Sequence, residues 1–270
     1  DMVGNVPITP LLRKFRENVM IIFTGILLEK RIMFVGNKVF ALLSAKKDKC
    51  FLGKIYNISE NKNFIDLGCL PDRDNTDFNG LGSSVVYLNN KLLLSVGTVD
   101  ANLTLNSELS QNINSPYGKI LSIEYKSLRG EKSPETNVYS LGHRNPQGMS
   151  KINNQTFSVE HGPKGGDNFG KVVYGGNLGW KEVAWGGTEY YGVKIGDSPF
   201  NDKFNKPILS WVPSIGVGQI GFYKGRTFNE WNGDLLCTGA KYGLLIRLDY
   251  KNKKILKKEV LIKGMQFHKL

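Results

Sequence analysis

From residue 38 onward the chain alternates short apolar runs with polar breaks rich in glycine and asparagine. VFALLSA (39–45), GKIYNIS (53–59), SVVYL (84–88) and KLLLSVG (91–97) have the length and β-branched content of strands. So do GKILSIEY (118–125), TFSVEHG (156–162), DLLCTGA (234–240) and GLLIRLDY (243–250). Neighbours are parted by Asn89-Asn90, Asn153-Asn154 and Asn232-Gly233, residues that tolerate the left-handed backbone of tight hairpins. The pattern predicts an all-β chain. Residues 1–37 lack it: ITPLLRKFRENVMIIFTGILLEK (8–30) reads equally as an amphipathic helix. That segment is left unassigned, and a single domain is expected over 38–270.

The strands repeat. YGKILSIEYK (117–126) aligns with YGLLIRLDYK (242–251), and LGKIYNISEN (52–61) is a looser copy. Gly53 and Gly118 lie 65 residues apart, and Gly118 and Gly243 lie 125 apart, nearly twice as far. A mostly-strand unit of roughly 62 residues matches a β-propeller blade with long connections, and a sandwich would not repeat in this way. By that period the chain holds about four blades. A second repeat agrees: NNKLLLSVG, NNQTFSVEHG and NGDLLCTGA each run turn, strand, glycine. Equivalent strand ends in a propeller point toward one central pocket.

Composition narrows the possibilities. The chain has 270 residues, 40% hydrophobic content and 31 glycines, enough for a substantial core with many turns. The net charge of +12 suits a solubilising surface or a site for an anionic ligand. The densest basic run, Lys251 to Lys258, alternates with apolar residues like the outer face of a strand pair, and no nucleic-acid recognition motif accompanies it. Cys50, Cys69 and Cys237 show neither metal spacing nor a disulfide framework and read as buried small hydrophobes. Asn57, Asn102 and Asn154 head Asn-x-Ser/Thr triplets of the sort an Asn-rich chain makes by chance. VMIIFTGILL (19–28) is too short to span a bilayer, which takes about 20 residues, and no signal-peptide pattern is visible.

The candidate chemistry gathers in LGHRNPQGMS (141–150), which packs His143, Arg144, Asn145 and Gln147 between two glycines at the end of a strand-like NVYS. Arg144 offers a planar fork of donors for a carboxylate or a polarised carbonyl, and Asn145 adds a neutral donor. Lys241 follows a corresponding strand end and adds a point cation. EHGPKGGD (160–167) carries Gly162-Pro163, whose carbonyls are free to turn outward as hard oxygen ligands of the kind calcium accepts. Together these residues point to an anionic, carbonyl-bearing ligand with a divalent metal nearby.

GHRNPQG, EHGPKGGD, GGNLGW and TGAK resemble the soluble quinoprotein glucose/sorbosone dehydrogenases, which include the aldose sugar dehydrogenases, over roughly residues 38–270. The resemblance implies a six-bladed β-propeller of which this chain carries about four blades. It also implies pyrroloquinoline quinone (PQQ) and calcium as cofactors, a sugar or alcohol substrate, a separate electron acceptor, and a periplasmic or secreted location. By the same resemblance, Arg144 and Asn145 contact and polarise the reactive quinone carbonyl, and Lys241 pairs with the quinone oxygens. The carbonyls of Gly162 and Pro163 bind calcium, and Asp167 lies close to the cofactor. His143, Gln147 and His161 are expected to hold the loops in shape.

The departures from the family pattern bear on turnover. Asn168 stands where the family has Glu. The family's general-base His falls on Gly80, or on Leu81 if the alignment slips by one, and the acid that orients it becomes Thr98 in SVGT. Asp100 is near but off the motif position, and the remaining histidine, His268, is close to the C-terminus. An Arg-x-Arg-Asp motif is expected about where the chain stops. Two classes follow: a PQQ- and calcium-dependent dehydrogenase with its catalytic His missing, and a non-catalytic propeller that binds a ligand or a protein.

Overall fold

The computed structural model describes residues 2–3, 6–7, 27–47, 50–71, 78–98, 108–188, 192 and 194–264. A small pairing of Met2–Val3 (β1) with Val6–Pro7 (β2) precedes four consecutive four-stranded antiparallel sheets. Blade 1 is Leu27–Val35 (β3), Lys38–Lys47 (β4), Cys50–Asn57 (β5) and Lys62–Pro71 (β6). Blade 2 is Gly82–Leu88 (β7), Lys91–Val96 (β8), Lys119–Glu124 (β9) and Thr136–Leu141 (β10). Blade 3 is Pro146–Ile152 (β11), Gln155–Glu160 (β12), Asp167–Val172 (β13) and Leu209–Trp211 (β14). Blade 4 is Val217–Phe222 (β15), Leu235–Gly239 (β16), Leu244–Lys251 (β17) and Lys254–Ile262 (β18). Each sheet is an up-and-down meander in sequence order, and β11 packs against both β7 and β15. This is the blade arrangement of a β-propeller, as the repeat implies.

The repeat also explains its own spacing. Gly118 and Gly243 immediately precede β9 and β17, the third strands of their blades, both with positive φ (68° and 58°), and Gly53 lies within the third strand of blade 1. The missing copy is Gly166 (φ 80°), which immediately precedes β13, so the 125-residue gap holds two blades. Asn89, Asn90, Asn153 and Asn154 all have positive φ, the geometry their hairpins require. The basic run forms the β17–β18 hairpin. β3 lies inside the segment whose sequence carried no pattern, and it pairs with β4 through Val35↔Lys38. The rest of the amphipathic stretch falls outside the described residues, as do Asp100 and His268.

Among the described residues the two largest cores pack blade 1 on blade 2 and blade 3 on blade 4, and a smaller one of Val86, Leu88, Leu93, Ile120, Met149 and Val172 joins blades 2 and 3. Phe40, Leu42, Ile55, Leu81, Leu92, Leu94 and Leu121 fill the interface of blades 1 and 2. Phe157, Phe169, Phe222 and Tyr250 form a ring cluster between blades 3 and 4, with centroids 5.4–6.0 Å apart. Cys237 is buried there, and burial pushes its thiol up to about 12, so it is inert. Cys69 corrects the reading of the cysteines, because it is exposed and disulfide-bonded.

One buried charge is built into blade 2. Lys119 follows Gly118, is fully buried, and donates to the carbonyls of Leu109 (2.6 Å), Ser110 (2.9 Å) and Tyr117 (2.8 Å). The equivalent residue of blade 4 is the apolar Leu244. Burial pushes the Lys119 ammonium down to about 7. With the folded value below the unfolded one, the unfolded chain binds more protons between about pH 7 and the ordinary lysine range. Stability contributed by this residue therefore rises with pH across that window and is flat below it. Urea unfolding at several pH values should show this rise, by at most about 1.4 kcal/mol per pH unit, and Lys119→Met should remove it.

Candidate cofactor site

Arg144 lies in the four-residue crossover between β10 and β11, where no sheet ladder fixes the backbone. Side chains and neighbouring strand ends do so instead. Its N–H donates to Glu160 Oε2 at 3.1 Å, and its carbonyl accepts from Thr98 N at 2.9 Å and Thr98 Oγ1 at 3.3 Å. Arg144 is 8% exposed. Nη1 donates to the carbonyls of His161 (3.3 Å) and Gly162 (3.2 Å), and the plane sits 5.4 Å from the Trp180 ring centre. Buried Nε has no acceptor, and among the described residues no carboxylate forms an ion pair with this cation. Arg144 lines a small cleft with Glu160, Gly162, Pro163, Asn168 and Trp180.

Asn145 points the other way. Its Oδ1 accepts from Gly82 N (3.1 Å) and Gln147 Nε2 (2.6 Å), which ties the crossover to blade 2. Gln147 in turn is held through its carbonyl by Gln219, so it acts on the loop's shape as expected of it.

Gly162 and Pro163 follow β12. Their carbonyls accept from Arg144 Nη1 and, at 3.3 Å, from Ser214 Oγ. A carbonyl has two lone pairs, so each retains one for a cation. No group of three or more His, Cys, Asp or Glu side chains is poised for a metal among the described residues. With two neutral carbonyls as donors and Arg144 beside one of them, a calcium ion would need counter-charge from the ligand itself.

Asp167 is 1% exposed and accepts three backbone hydrogen bonds. Gly162 N reaches Oδ1 at 2.9 Å, and Ile215 N and Val217 N each reach Oδ2 at 3.0 Å. It ties the Gly162 loop to the blade 3–blade 4 connection and offers little free acceptor capacity. Asp167→Ala leaves three N–H groups without their acceptor and should cost about 3 kcal/mol, read as a fall in the urea midpoint. Asn168 spends its Nδ2 on Gly166 O (3.3 Å), leaving Oδ1 buried and without a donor in the wall of the Arg144 cleft.

Lys241 sits in the turn after β16, exposed, with Nζ 5.1 Å from the Tyr242 ring centre. Its N–H donates to Ile215 O, the same residue whose N–H Asp167 holds, but its side chain does not line the Arg144 cleft. The structure thus brings Arg144, Gly162 and Pro163 together, sets Asn145 against blade 2, and leaves Lys241 at the neighbouring strand end.

The residues at the family's base position differ in setting. Leu81 is fully buried in the core of blades 1 and 2. Gly80 lies one backbone away from Arg144: a Cβ added to Gly97 would meet the Gly80 oxygen at 1.9 Å and the Arg144 oxygen at 2.9 Å, so Gly97 is sandwiched between them. Thr98 is buried and spends its hydroxyl on the Arg144 carbonyl. Glu160 escaped the sequence reading, although EHGPKGGD contains it. An acid at a strand end gives no sign of whether it faces solvent or a neighbouring backbone N–H.

Four consecutive four-stranded blades, with a buried arginine beside two loop carbonyls in the blade 2–blade 3 crossover, define a β-propeller. The model of the glucose/sorbosone dehydrogenase family matches residues 70–268, and the chain belongs to that family. The aldose sugar dehydrogenase YliI of Escherichia coli is 32% identical over 115 residues, 41% of this chain and 31% of that protein. A glucose dehydrogenase crystal structure superposes with a TM-score of 0.69 at 20% identity, covering 89% of this chain and 74% of that one. The PQQ-bound aldose sugar dehydrogenase of Streptomyces coelicolor superposes at 0.59 and 20% identity, covering 90% and 68%. The chain spans less than half the length of the curated relatives it matches. No helix among the described residues is long and apolar enough to cross a membrane.

Proposed function

We propose that this chain is a PQQ-binding quinoprotein domain of the aldose sugar dehydrogenase type, with calcium as a second cofactor. The observation that carries this reading is Arg144, a buried cation with a free Nε–H and no carboxylate partner among the described residues. An unpaired buried charge costs several kcal/mol, and an anionic ligand in the cleft would remove that cost. Arg144 would hold a carboxylate or quinone oxygen through Nε and its unused nitrogens, and Trp180 would limit the guanidinium's movement. Gly162 and Pro163 would supply carbonyl ligands to calcium, with the remaining negative charge coming from the ligand. Asn145 would donate through an NH2 that makes no hydrogen bond among the described residues, and Lys241, whose side chain lies outside the Arg144 cleft, would reach the ligand by turning away from the Tyr242 ring. The chemistry supplied by the bound quinone is acceptance of a hydride from the hydroxyl-bearing carbon of an aldose or related alcohol.

Removing the hydroxyl proton is the task this chain is poorly equipped for. Gly80 and Leu81 accept no proton, Thr98 is engaged with Arg144, and Asp167 is held by three backbone donors. That observation favours a second reading, a propeller that keeps the cofactor pocket as a binding module without turnover. The electron acceptor would be a separate molecule. A periplasmic or secreted location agrees with the disulfide at Cys69, since such bonds persist in oxidising compartments. Fluorescence titration with PQQ, with and without calcium, tests the cofactor reading, and absence of saturable binding would end it. Assay of the loaded protein with aldoses and an artificial acceptor then separates dehydrogenase from binding module.

A further inference from the structure

We propose that Glu160 is a positioning residue that fixes Arg144 for an anionic ligand. The inference rests on the cofactor reading for its functional meaning and on geometry for its substance. Glu160 closes β12 and is paired in the ladder with Pro146, which has no N–H to give. Its carboxylate reaches past that rung to the N–H of Arg144 at 3.1 Å. The same oxygen lies 3.6 Å from His143 Nδ1, and His143 Nε2 is 2.8 Å from Ser140 Oγ. All three side chains are 2–3% exposed.

A carboxylate held this deep is expensive, but it accepts the Arg144 N–H roughly twice as strongly as a neutral amide would. Its charge has a use where a second buried charge must be held still. Glu160 grips Arg144 at the N–H while Thr98 grips the carbonyl, so the crossover residue is clamped from blade 3 and blade 2 at once. The guanidinium that follows is then confined against Trp180 and the Gly162 carbonyl. A fixed fork loses less freedom on binding a carboxylate or quinone than a mobile one does. His143 is fixed by Ser140 through Nε2 and packs beside the carboxylate, its Nδ1 making no hydrogen bond.

Two measurements on Glu160→Gln test the proposal. The first needs no cofactor: the Nε–H resonance of Arg144, assigned by its loss in Arg144→Lys, should be sharp and slow to exchange in the wild-type protein and broadened or fast-exchanging in Glu160→Gln. The second is a double-mutant cycle on PQQ affinity. Glu160→Gln should weaken PQQ about tenfold in the wild-type background and less than about twofold in Arg144→Lys, because its effect passes through the arginine fork. An unchanged Arg144 resonance, or an equal loss of affinity in both backgrounds, overturns the proposal, since a merely structural role acts alike in both. If the wild-type protein binds no PQQ while the resonance responds as described, the positioning role stands and the cofactor reading falls. Should Glu160→Gln not unfold cooperatively, Glu160→Asp, which keeps the charge but draws the carboxylate back from the Arg144 N–H, carries the same two measurements with the same expected directions.

Discussion

Replacing Arg144 with alanine should weaken PQQ binding by at least about 1,000-fold, equivalent to about 4 kcal/mol. The size follows from burial. Arg144 is 8% exposed and has no ion-pair partner among the described residues, so the ligand's negative charge is the partner the site lacks. Truncating one member of a desolvated, hydrogen-bonded charge pair leaves the other without compensation, at a cost of roughly 2–5 kcal/mol. Arg144→Lys restores the charge but not the fork. A lysine ammonium is a point donor that cannot keep the paired bonds to His161 and Gly162 while presenting a further N–H to the ligand. It should recover only part of the loss. Affinity within threefold of wild type in Arg144→Ala, measured by the same fluorescence titration, would remove Arg144 from the site and take the cofactor reading with it.

Loaded with PQQ and calcium, the protein should oxidise aldoses about 100- to 10,000-fold more slowly than a relative with a histidine base, the usual contribution of a positioned general base. The structure decides which substitution tests the deficit. Leu81→His places an imidazole in the core of blades 1 and 2, where it finds no room and no evident partner. It should destabilise the fold by roughly 3 kcal/mol or more, without activity. Gly80 abuts the backbone of the Arg144 clamp through Gly97, so Gly80→His is the variant expected to raise turnover. Adding Thr98→Asp, to imitate the family's orienting acid, should reduce the gain. Thr98 donates its hydroxyl to the Arg144 carbonyl, and a carboxylate there replaces a donor with a repelling acceptor. Steady-state kinetics on the single and double variants checks the order. Turnover of the unmodified protein at the rate of its relatives would show that a base outside Gly80, Leu81, Thr98 and Asp167 serves the reaction.

The sequence by itself determined the strands, the hairpins and the repeat, because each is a local matter. Asn-Asn and Asn-Gly pairs suit left-handed turns whatever surrounds them, and Gly118 and Gly243 mark third-strand starts because their φ is positive. The family motifs likewise displayed Arg144, Asn145, Gly162, Pro163, Asp167 and Lys241 as candidates. The third blade stayed hidden in the repeat because GDNFGKVV gives its third strand over to site residues, leaving Gly166 as the trace of the pattern. β3 was missed because an apolar stretch of its kind fits helix and strand equally, and pairing with β4 settles it. Tertiary structure alone decided what each candidate touches. Asp167 proves to be a three-fold backbone acceptor, Thr98 a clamp on the Arg144 carbonyl, Leu81 a core residue, and Glu160 the partner of the Arg144 N–H. Those contacts join segments from 5 to 50 residues apart, the longest of them between neighbouring blades. Local pattern does not encode them; they exist once the blades pack and water is excluded, when each buried donor and acceptor must find a partner or pay the cost of having none.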